Sequence, residues 1–283
     1  MNKHQQTALI LGGSGRTGSL VSKQLIDGGV QARTASRHGS DVHFEWDDPG
    51  TYEIALKGVD GVYLVPPTMR VRYVEPVATF LDMAVAAGVA HVTLLSAYNG
   101  DRAPQNVDVA AVEVQVASYR EFTHTILRPA WVMQNFTDEH LPVLDNLLVV
   151  PSGGGAEAFV DALDIAEVAV ETILSPDKHA SATYSLTGPQ AMTFDEVART
   201  IATVSGRPVK YLDIGEETWI NGAIAAGVPA DYADMLRWLT GSIIAGQGSK
   251  PTSDVETVLG RPATSFDEFA RRNAAVWTEQ EGQ

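Results

Sequence analysis

A glycine-rich segment near the start of the chain constrains the fold more than any other feature. The apolar run Ala8–Leu11 leads into glycines at Gly12, Gly15 and Gly18, and Gly13 adds an overlapping Gly-x-Gly-x-x-Gly pattern. A helical pattern of apolar residues follows. Strand, glycine turn and helix in this order are typical of a loop that holds the pyrophosphate of a dinucleotide at a helix N-terminus. From spacing alone, an ordinary surface turn fits the pattern about equally well.

The end of the second predicted strand, Val30–Ala35, indicates which dinucleotide binds. A carboxylate there would suit the ribose 2′-hydroxyl of NAD, whereas an arginine suits the 2′-phosphate of NADP. The residues are Ser36 and Arg37, and Arg16 in the glycine loop is a second cation that could reach the same phosphate. Two solvated surface arginines are the alternative. We therefore predict NADP(H), with contacts from Gly12, Gly13, Ser14, Gly15, Arg16, Thr17, Gly18, Ser36 and Arg37.

Predicted strands and helices alternate along the first half of the chain. Further strands at 42–46, 61–65, 90–96 and 123–127 alternate with helices at 51–57, 74–87 and 108–117. This alternation predicts an α/β fold, a doubly wound parallel sheet of the Rossmann type. Because ligands bind at the carboxyl ends of such strands, we also expect cofactor contacts from Val65, Pro66, Pro67 and Ser96. The paired prolines could equally well do no more than end a strand.

Beyond Pro129 the alternation becomes less regular. The segment 131–136 combines bulky apolar and amide side chains just past a strand end, which favours a pocket wall over a core-packing turn. We predict substrate contacts from Tyr98, Trp131, Asn135 and Phe136. The predicted domains are a cofactor-binding domain over 1–151, with 157–187 returning to its sheet, and a smaller, mostly helical substrate lobe over 188–283.

Composition excludes several classes of partner and site. Lys+Arg 20 against Asp+Glu 35 gives a net charge of -15, which repels nucleic acids and anionic lipids. The absence of cysteine excludes disulfides and thiolate sites, and no two of the seven histidines stand four residues apart, so no metal is expected. The chain begins without an apolar signal segment and contains no stretch of membrane-spanning length. We expect a cytoplasmic protein and leave its oligomeric state open.

Several segments resemble the NmrA-like atypical short-chain dehydrogenases/reductases. They are the glycine loop, the Ser36-Arg37 pair, residues 94–97, residues 127–136, Phe159-Val160-Asp161 with Asp164-Ile165-Ala166, and Gly260-Arg261-Pro262. The resemblance covers nearly the whole chain. It implies an NADP(H)-binding Rossmann core with a small C-terminal substrate lobe. It also implies one of two activities: reduction of quinones, iminium ions and related conjugated compounds, or redox sensing without chemistry.

The proton donor of ordinary short-chain dehydrogenases is missing. Those enzymes carry Tyr-x-x-x-Lys on a helix about a dozen residues after the strand-end serine, and the tyrosine passes a proton to a carbonyl. That region here holds Val109 and Glu113, and no tyrosine is followed four residues later by lysine. Tyr98 with Arg102 is the nearest imitation, in a predicted loop. Glu113 could order the site, but a solvated helix face is the preferred interpretation.

A missing proton donor favours an acceptor that needs no acid. A quinone accepts hydride readily because aromatisation drives the step, so positioning over the nicotinamide suffices. We predict an NADPH-dependent reductase of a quinonoid or aromatic polyketide-like molecule, with Ser96 and Tyr98 as hydrogen-bond donors to an oxyanion. The product could support hydroxylation by a partner oxygenase in antibiotic biosynthesis. The alternatives are a non-catalytic NADP(H) sensor and an isomerase or epimerase of the extended short-chain group.

Overall fold

The computed structural model describes residues 6–138 and 140–278. The first five residues, where the sequence predicts no signal segment, lie outside the described part. The described residues form two compact units. The first holds residues 6–129 and 162–185, and the second holds the described parts of 130–161 and 186–278. The predicted division differs from this one, because residues 130–151 belong to the second unit.

The first unit contains a seven-stranded sheet. Its strands are β1 (Thr7–Leu11), β2 (Gln31–Ser36), β3 (Val42–His43), β4 (Gly61–Leu64), β5 (His91–Leu95), β6 (Thr123–Pro129) and β10 (Ala182–Leu186). Their order across the sheet is β10-β6-β5-β4-β1-β2-β3. Every neighbouring pair from β3 to β6 is parallel. The chain returns to this sheet at β10.

Two groups of helices cover this sheet. The helices are α1 (Arg16–Asp27), α2 (Tyr52–Leu56), α3 (Val74–Ala87), α4 (Val109–Ser118), α5 (Ala162–Leu174) and α6 (Pro176–His179). Helix α1 packs against α5, whereas α3 packs against α2 and α4. All residues of β1 and β4 are buried, and since side chains alternate between the faces of a strand, both faces must be covered. The predicted doubly wound parallel fold is confirmed.

The second unit combines two small sheets with helices. Strands β8 (Leu147–Val149), β7 (Val143–Leu144) and β12 (Lys210–Leu212) form one sheet, and β9 (Ala156–Glu157) pairs antiparallel with β11 (Met192–Thr193). The helices are α7 (Phe194–Ser205), α8 (Glu216–Ala225), α9 (Ala233–Ile244), α10 (Asp254–Leu259), α11 (Phe266–Arg272) and α12 (Ala274–Thr278). Apolar side chains from residues 133–150 share one core with α7 and α11. This shared core explains why residues 130–151 leave the first unit.

Candidate functional site

The glycine loop between β1 and α1 leaves no room for side chains at two positions. A Cβ atom at Gly18 would lie 2.2 Å from the carbonyl oxygen of Gly12, and one at Gly13 would lie 2.5 Å from Cβ of Thr34. Gly12 itself has a φ of +64°, a conformation that favours glycine. The backbone therefore makes the close turn that a pyrophosphate loop requires.

The N-terminus of α1 is arranged to receive an anion. No side chain caps it, and its first turn contains no acidic residue. Helices α7 and α11 differ, because Glu196 and Glu268 complete capping boxes at their N-termini. Unsatisfied N–H groups and the positive end of the helix dipole together favour a phosphate at such a position.

A buried hydrogen bond connects the first turn of α1 to strand β4. The hydroxyl of Tyr63 on β4 donates to Oγ1 of Thr17 at 3.1 Å, and Tyr63 is fully buried. Burial raises the pKa of the Tyr63 phenol well above its usual range, so it acts as a donor at neutral pH. This bond ties the first turn of α1 to the centre of the sheet.

The structure brings the end of β2 to the glycine loop. Ser14 Oγ donates to Ser36 Oγ at 3.0 Å, and Ser36 in turn donates to the carbonyl of His38 at 2.7 Å. Arg37, between them, has an exposed side chain, and Arg16 is half-buried at the start of α1. The predicted cofactor residues of the two segments are therefore neighbours, as a site for the ribose phosphate requires.

Val65, at the end of β4, borders the same loop. A Cβ atom at Gly12 would lie 3.6 Å from the Val65 side chain, an ordinary van der Waals distance. Pro66 and Pro67 follow and are half-buried. The strand stops before them at Leu64, so the prolines also end the strand.

A polar cluster lies at the carboxyl ends of β5 and β6. Ser96 Oγ donates to Glu113 Oε1 at 2.5 Å, and Arg128 donates to the same carboxylate through Nε at 3.0 Å and Nη2 at 2.5 Å. Arg128 also pairs with Asp101 at 3.0 Å. Although burial lowers the pKa of Arg128, its bonds to Glu113 and the charge of Asp101 leave that pKa raised overall.

The preferred interpretation of Glu113 as a solvated residue is wrong, since its side chain is only 4% exposed. Helix α4 turns this residue toward the sheet, where Arg128 neutralises its charge. Arg128, Asp101 and Gly100 also belong to this cluster, although none of them was predicted as a site residue. A Cβ atom at Gly100 would lie 2.6 Å from Glu113 Oε1, so glycine is required there. An arginine at a strand end after an acidic helix residue is the signal that could have found the pair.

The geometry does not fit the predicted role of Ser96 as an oxyanion donor, because its one proton is donated to Glu113. Tyr98 lies in a turn beside Asn99, which has a φ of +56°, and is half-buried. The predicted loop around Tyr98 and Arg102 is confirmed, with a short 3₁₀ helix over Gly100–Arg102. The roles of Tyr98 toward oxyanion and substrate stay predictions.

Phe136 fills the core of the second unit, a position that does not suit the substrate contact predicted for it. A 3₁₀ turn over Met133–Phe136 directs both end residues inward, and Phe136 is 1% exposed. Its ring contacts three other aromatic rings, those of Phe159, Phe194 and Phe266. Trp131 is partly buried against this core, and Asn135 is half-buried. Their roles as substrate contacts stay predictions.

The second unit also contains a buried carboxyl group that sequence analysis did not single out. Glu157 on β9 is 2% exposed, and a Cβ atom at Gly248 would lie 1.9 Å from its Oε2. Burial raises the pKa of Glu157 to about 7, against a smaller lowering by a hydrogen bond from the Trp131 backbone. The group is therefore partly protonated at neutral pH.

Within 6–138 and 140–278, no three His, Asp or Glu side chains are grouped to hold a metal ion. In the same part of the chain, no helix has the length and apolar character needed to cross a bilayer.

Comparison with known proteins assigns most of the chain to one family. Residues 4–241 match the NmrA-like family. The chain belongs to the NmrA-like family. Among NmrA-like relatives, the uncharacterized oxidoreductase YesF of Bacillus subtilis is 33% identical over 284 residues, which cover 97% of each chain. The NAD(P)H azoreductase of Xenophilus azovorans is 29% identical, covering 95% of this chain and 98% of the relative.

A solved structure shows the same NmrA-like fold. The NADPH-dependent quinone oxidoreductase QOR2 of Escherichia coli, complexed with NADPH, superposes with a TM-score of 0.80 at 22% identity. The match covers 94% of this chain and 99% of that one. The predicted family and the predicted class, an oxidoreductase, are therefore confirmed.

Proposed function

We propose that this chain is an NADPH-dependent reductase that transfers a hydride to a quinonoid or related conjugated aromatic molecule. The observation that carries the proposal is the Ser96–Glu113 bond. Ordinary short-chain dehydrogenases place a proton-donating tyrosine about a dozen residues after the strand-end serine. This chain has Val109 and Glu113 in that region, and the proton of Ser96 is itself donated to Glu113. The reaction must then suit an acceptor that needs little acid assistance.

The cofactor is NADP(H), in agreement with the azoreductase relative, whose name specifies NAD(P)H, and with the NADPH held by the QOR2 structure. The closed turn at Gly13 and Gly18, where a Cβ atom would clash with the protein's own atoms, is the kind of loop that suits a pyrophosphate. The N-terminus of α1 would bind its charge. The exposed side chain of Arg37 would bind the 2′-phosphate.

When bound, NADPH supplies the hydride. The chain's part is to hold the acceptor in place at the carboxyl ends of β4 and β5, near Val65 and Ser96, and to exclude competing geometries. A simple ketone would become an alkoxide that needs a proton at once. A reduced quinone leaves a phenolate that its aromatic ring stabilises, so positioning is sufficient.

The azoreductase and the quinone oxidoreductase among the relatives support this acceptor class, because their names specify acceptors with conjugated double bonds. A finer form of the proposal is that the reduced product serves an oxygen-dependent hydroxylation by a partner oxygenase in natural-product biosynthesis. Its chemical basis is that a dihydroquinone reacts readily with oxygen. The test is oxygen consumption after quinone reduction, with and without the oxygenase.

The direct test follows loss of NADPH absorbance with a panel of simple and polycyclic quinones and azo dyes, and with simple ketones as the comparison. We expect turnover of quinones well above the enzyme-free rate and no turnover of ketones. Tight NADPH binding without turnover of any acceptor would contradict the proposal and support the sensor alternative. Ketone reduction would show that a proton donor is present after all.

A further inference from the structure

The hydroxyl group of Ser96 has a fixed polarity. A serine hydroxyl carries one proton and two lone pairs, and a carboxylate only accepts. Ser96 Oγ lies 2.5 Å from Glu113 Oε1, so its proton lies in that bond. Its lone pairs remain for any other partner.

Arg128 fixes the other side of this bond. Its guanidinium is permanently charged and donates to both oxygens of Glu113, at 3.0 Å to Oε1 and 2.5 Å to Oε2. Both carboxylate oxygens therefore accept hydrogen bonds from Arg128.

The backbone holds Ser96 in register with β6. Its N–H donates to the carbonyl of Leu127 at 2.7 Å, and Gly100 closes over the cluster where no side chain would fit. Ser96 is only half-buried, whereas Glu113 is buried. Of these two groups, a ligand at the carboxyl end of β5 would meet the serine oxygen.

We propose that Ser96, oriented by Glu113 and Arg128, binds a hydrogen-bond donor of the ligand, an N–H or O–H group, rather than an oxyanion. The inference rests on the proposed function, since it presumes a nicotinamide cofactor and its acceptor. Glu113 and Arg128 are positioning residues that act through Ser96. The N–H or O–H group belongs either to the nicotinamide half of the cofactor, as its carboxamide or ribose hydroxyl, or to the substrate.

The first arm of the test measures binding, without turnover. NADP⁺ is compared with its acetylpyridine analogue, in which a methyl ketone replaces the carboxamide and removes its N–H donors. If the carboxamide is the partner, the wild-type chain should prefer NADP⁺ by about tenfold, the equivalent of one hydrogen bond. Ser96→Ala should reduce that preference to near one, and Ser96→Thr, which retains the hydroxyl, should restore it.

Glu113→Gln provides a sharper variant. The glutamine can accept from Arg128 and donate its amide N–H to Ser96, which turns the serine proton outward. The preference for NADP⁺ should then fall at least as far as in Ser96→Ala. A role of Glu113 in folding alone would leave this preference unchanged. Ser118→Ala, at the exposed end of the same helix α4, is the matched control and should change nothing.

The second arm tests the remaining donors. It compares KM for naphthoquinone with and without a ring hydroxyl group, and binding of NADP⁺ with and without its nicotinamide ribose hydroxyls, in wild type and Ser96→Ala. A partner hydroxyl would give a wild-type preference of about tenfold that Ser96→Ala abolishes. If Ser96→Ala leaves all three discriminations unchanged while NADPH still binds, the inference is overturned. If the wild-type chain does not bind NADPH at all, the proposed function itself has failed.

Discussion

Gly18 in helix α1 lies directly against the carbonyl oxygen of Gly12, so closely that a Cβ atom would stand 2.2 Å from that oxygen. The contact joins the first turn of the helix to the end of β1. It brings the backbone of the whole loop, including Gly13 and Gly15, into a closed turn. The third glycine of the motif is therefore required by packing as well as by any phosphate.

Replacing Gly18 by alanine should destabilise the protein by about 1–3 kcal/mol, as expected for overpacking against backbone. It should also weaken NADPH binding by more than about tenfold, because the helix N-terminus would shift. Urea unfolding and NADPH titration measure the two effects. Gly222→Ala in helix α8 is the control, since a Cβ atom there meets nothing within 4 Å. That variant should gain about 0.5–1 kcal/mol from helix propensity.

Arg37→Asp should change cofactor choice. The exposed arginine follows Ser36 at the end of β2, beside the glycine loop. Loss of charge-assisted bonds to the 2′-phosphate should weaken NADPH binding by about 1–3 kcal/mol and leave NADH binding nearly unchanged. Arg120→Asp, an exposed arginine just before β6, is the matched control for charge. Equal losses for both cofactors would mean that Arg37 does not contact the phosphate.

Glu157 should make stability fall as pH rises toward neutrality. Its pKa is raised from 4.5 to about 7, so the folded state holds the proton more tightly than the unfolded chain does. The stabilisation is complete below the pKa that Glu157 has in the unfolded chain. It is lost as the pH rises toward the pKa of the folded state, by about 1.4 kcal/mol per pH unit. Urea unfolding from acid to neutral pH should show this slope, relative to Glu157→Gln. The exposed Glu256→Gln should keep the wild-type slope. Equal slopes in all three would contradict an elevated Glu157 pKa.

His91 should contribute a loss of stability in acid. It is 2% exposed, and burial, assisted by the charges of His124 and His179, lowers its pKa from 6.5 to about 4. Below the pKa of His91 in the unfolded chain, the unfolded chain takes up a proton that the folded state does not. The stability of the fold therefore decreases as the pH is lowered from 6.5 to about 4. His91→Gln should remove about 1.4 kcal/mol per pH unit of that slope, measured by urea unfolding. The exposed His38→Gln should not.

Strand and helix periodicity predicts the first unit well because its main helices are long and its central strands are buried. Helix α3 begins and ends where the apolar pattern predicts, at Val74 and Ala87. The boundary of the second unit was not predictable in this way. Residues 130–151 form short strands and turns whose place depends on distant partners such as Phe194 and Phe266.

The residues of the candidate site likewise differ in whether the sequence alone could locate them. The glycine loop and Ser36 could be located because each position follows from local backbone requirements. Glu113 could not, since its burial depends on Arg128, which lies 15 residues further along the chain on a different element. Phe136 shows the same dependence on distant residues, because an aromatic residue past a strand end can face a pocket or a core. Only the packing of the second unit decides between them.

In the proposed reaction, bound NADPH reduces an acceptor that needs no acid from the protein. The most direct measurement mixes the NADPH-loaded protein with a single equivalent of naphthoquinone and, separately, of a simple cyclic ketone, and follows nicotinamide absorbance over one turnover. We expect rapid oxidation by the quinone and none by the ketone. If the quinone oxidises the tightly bound NADPH no faster than it oxidises NADPH in buffer alone, the proposed function is contradicted.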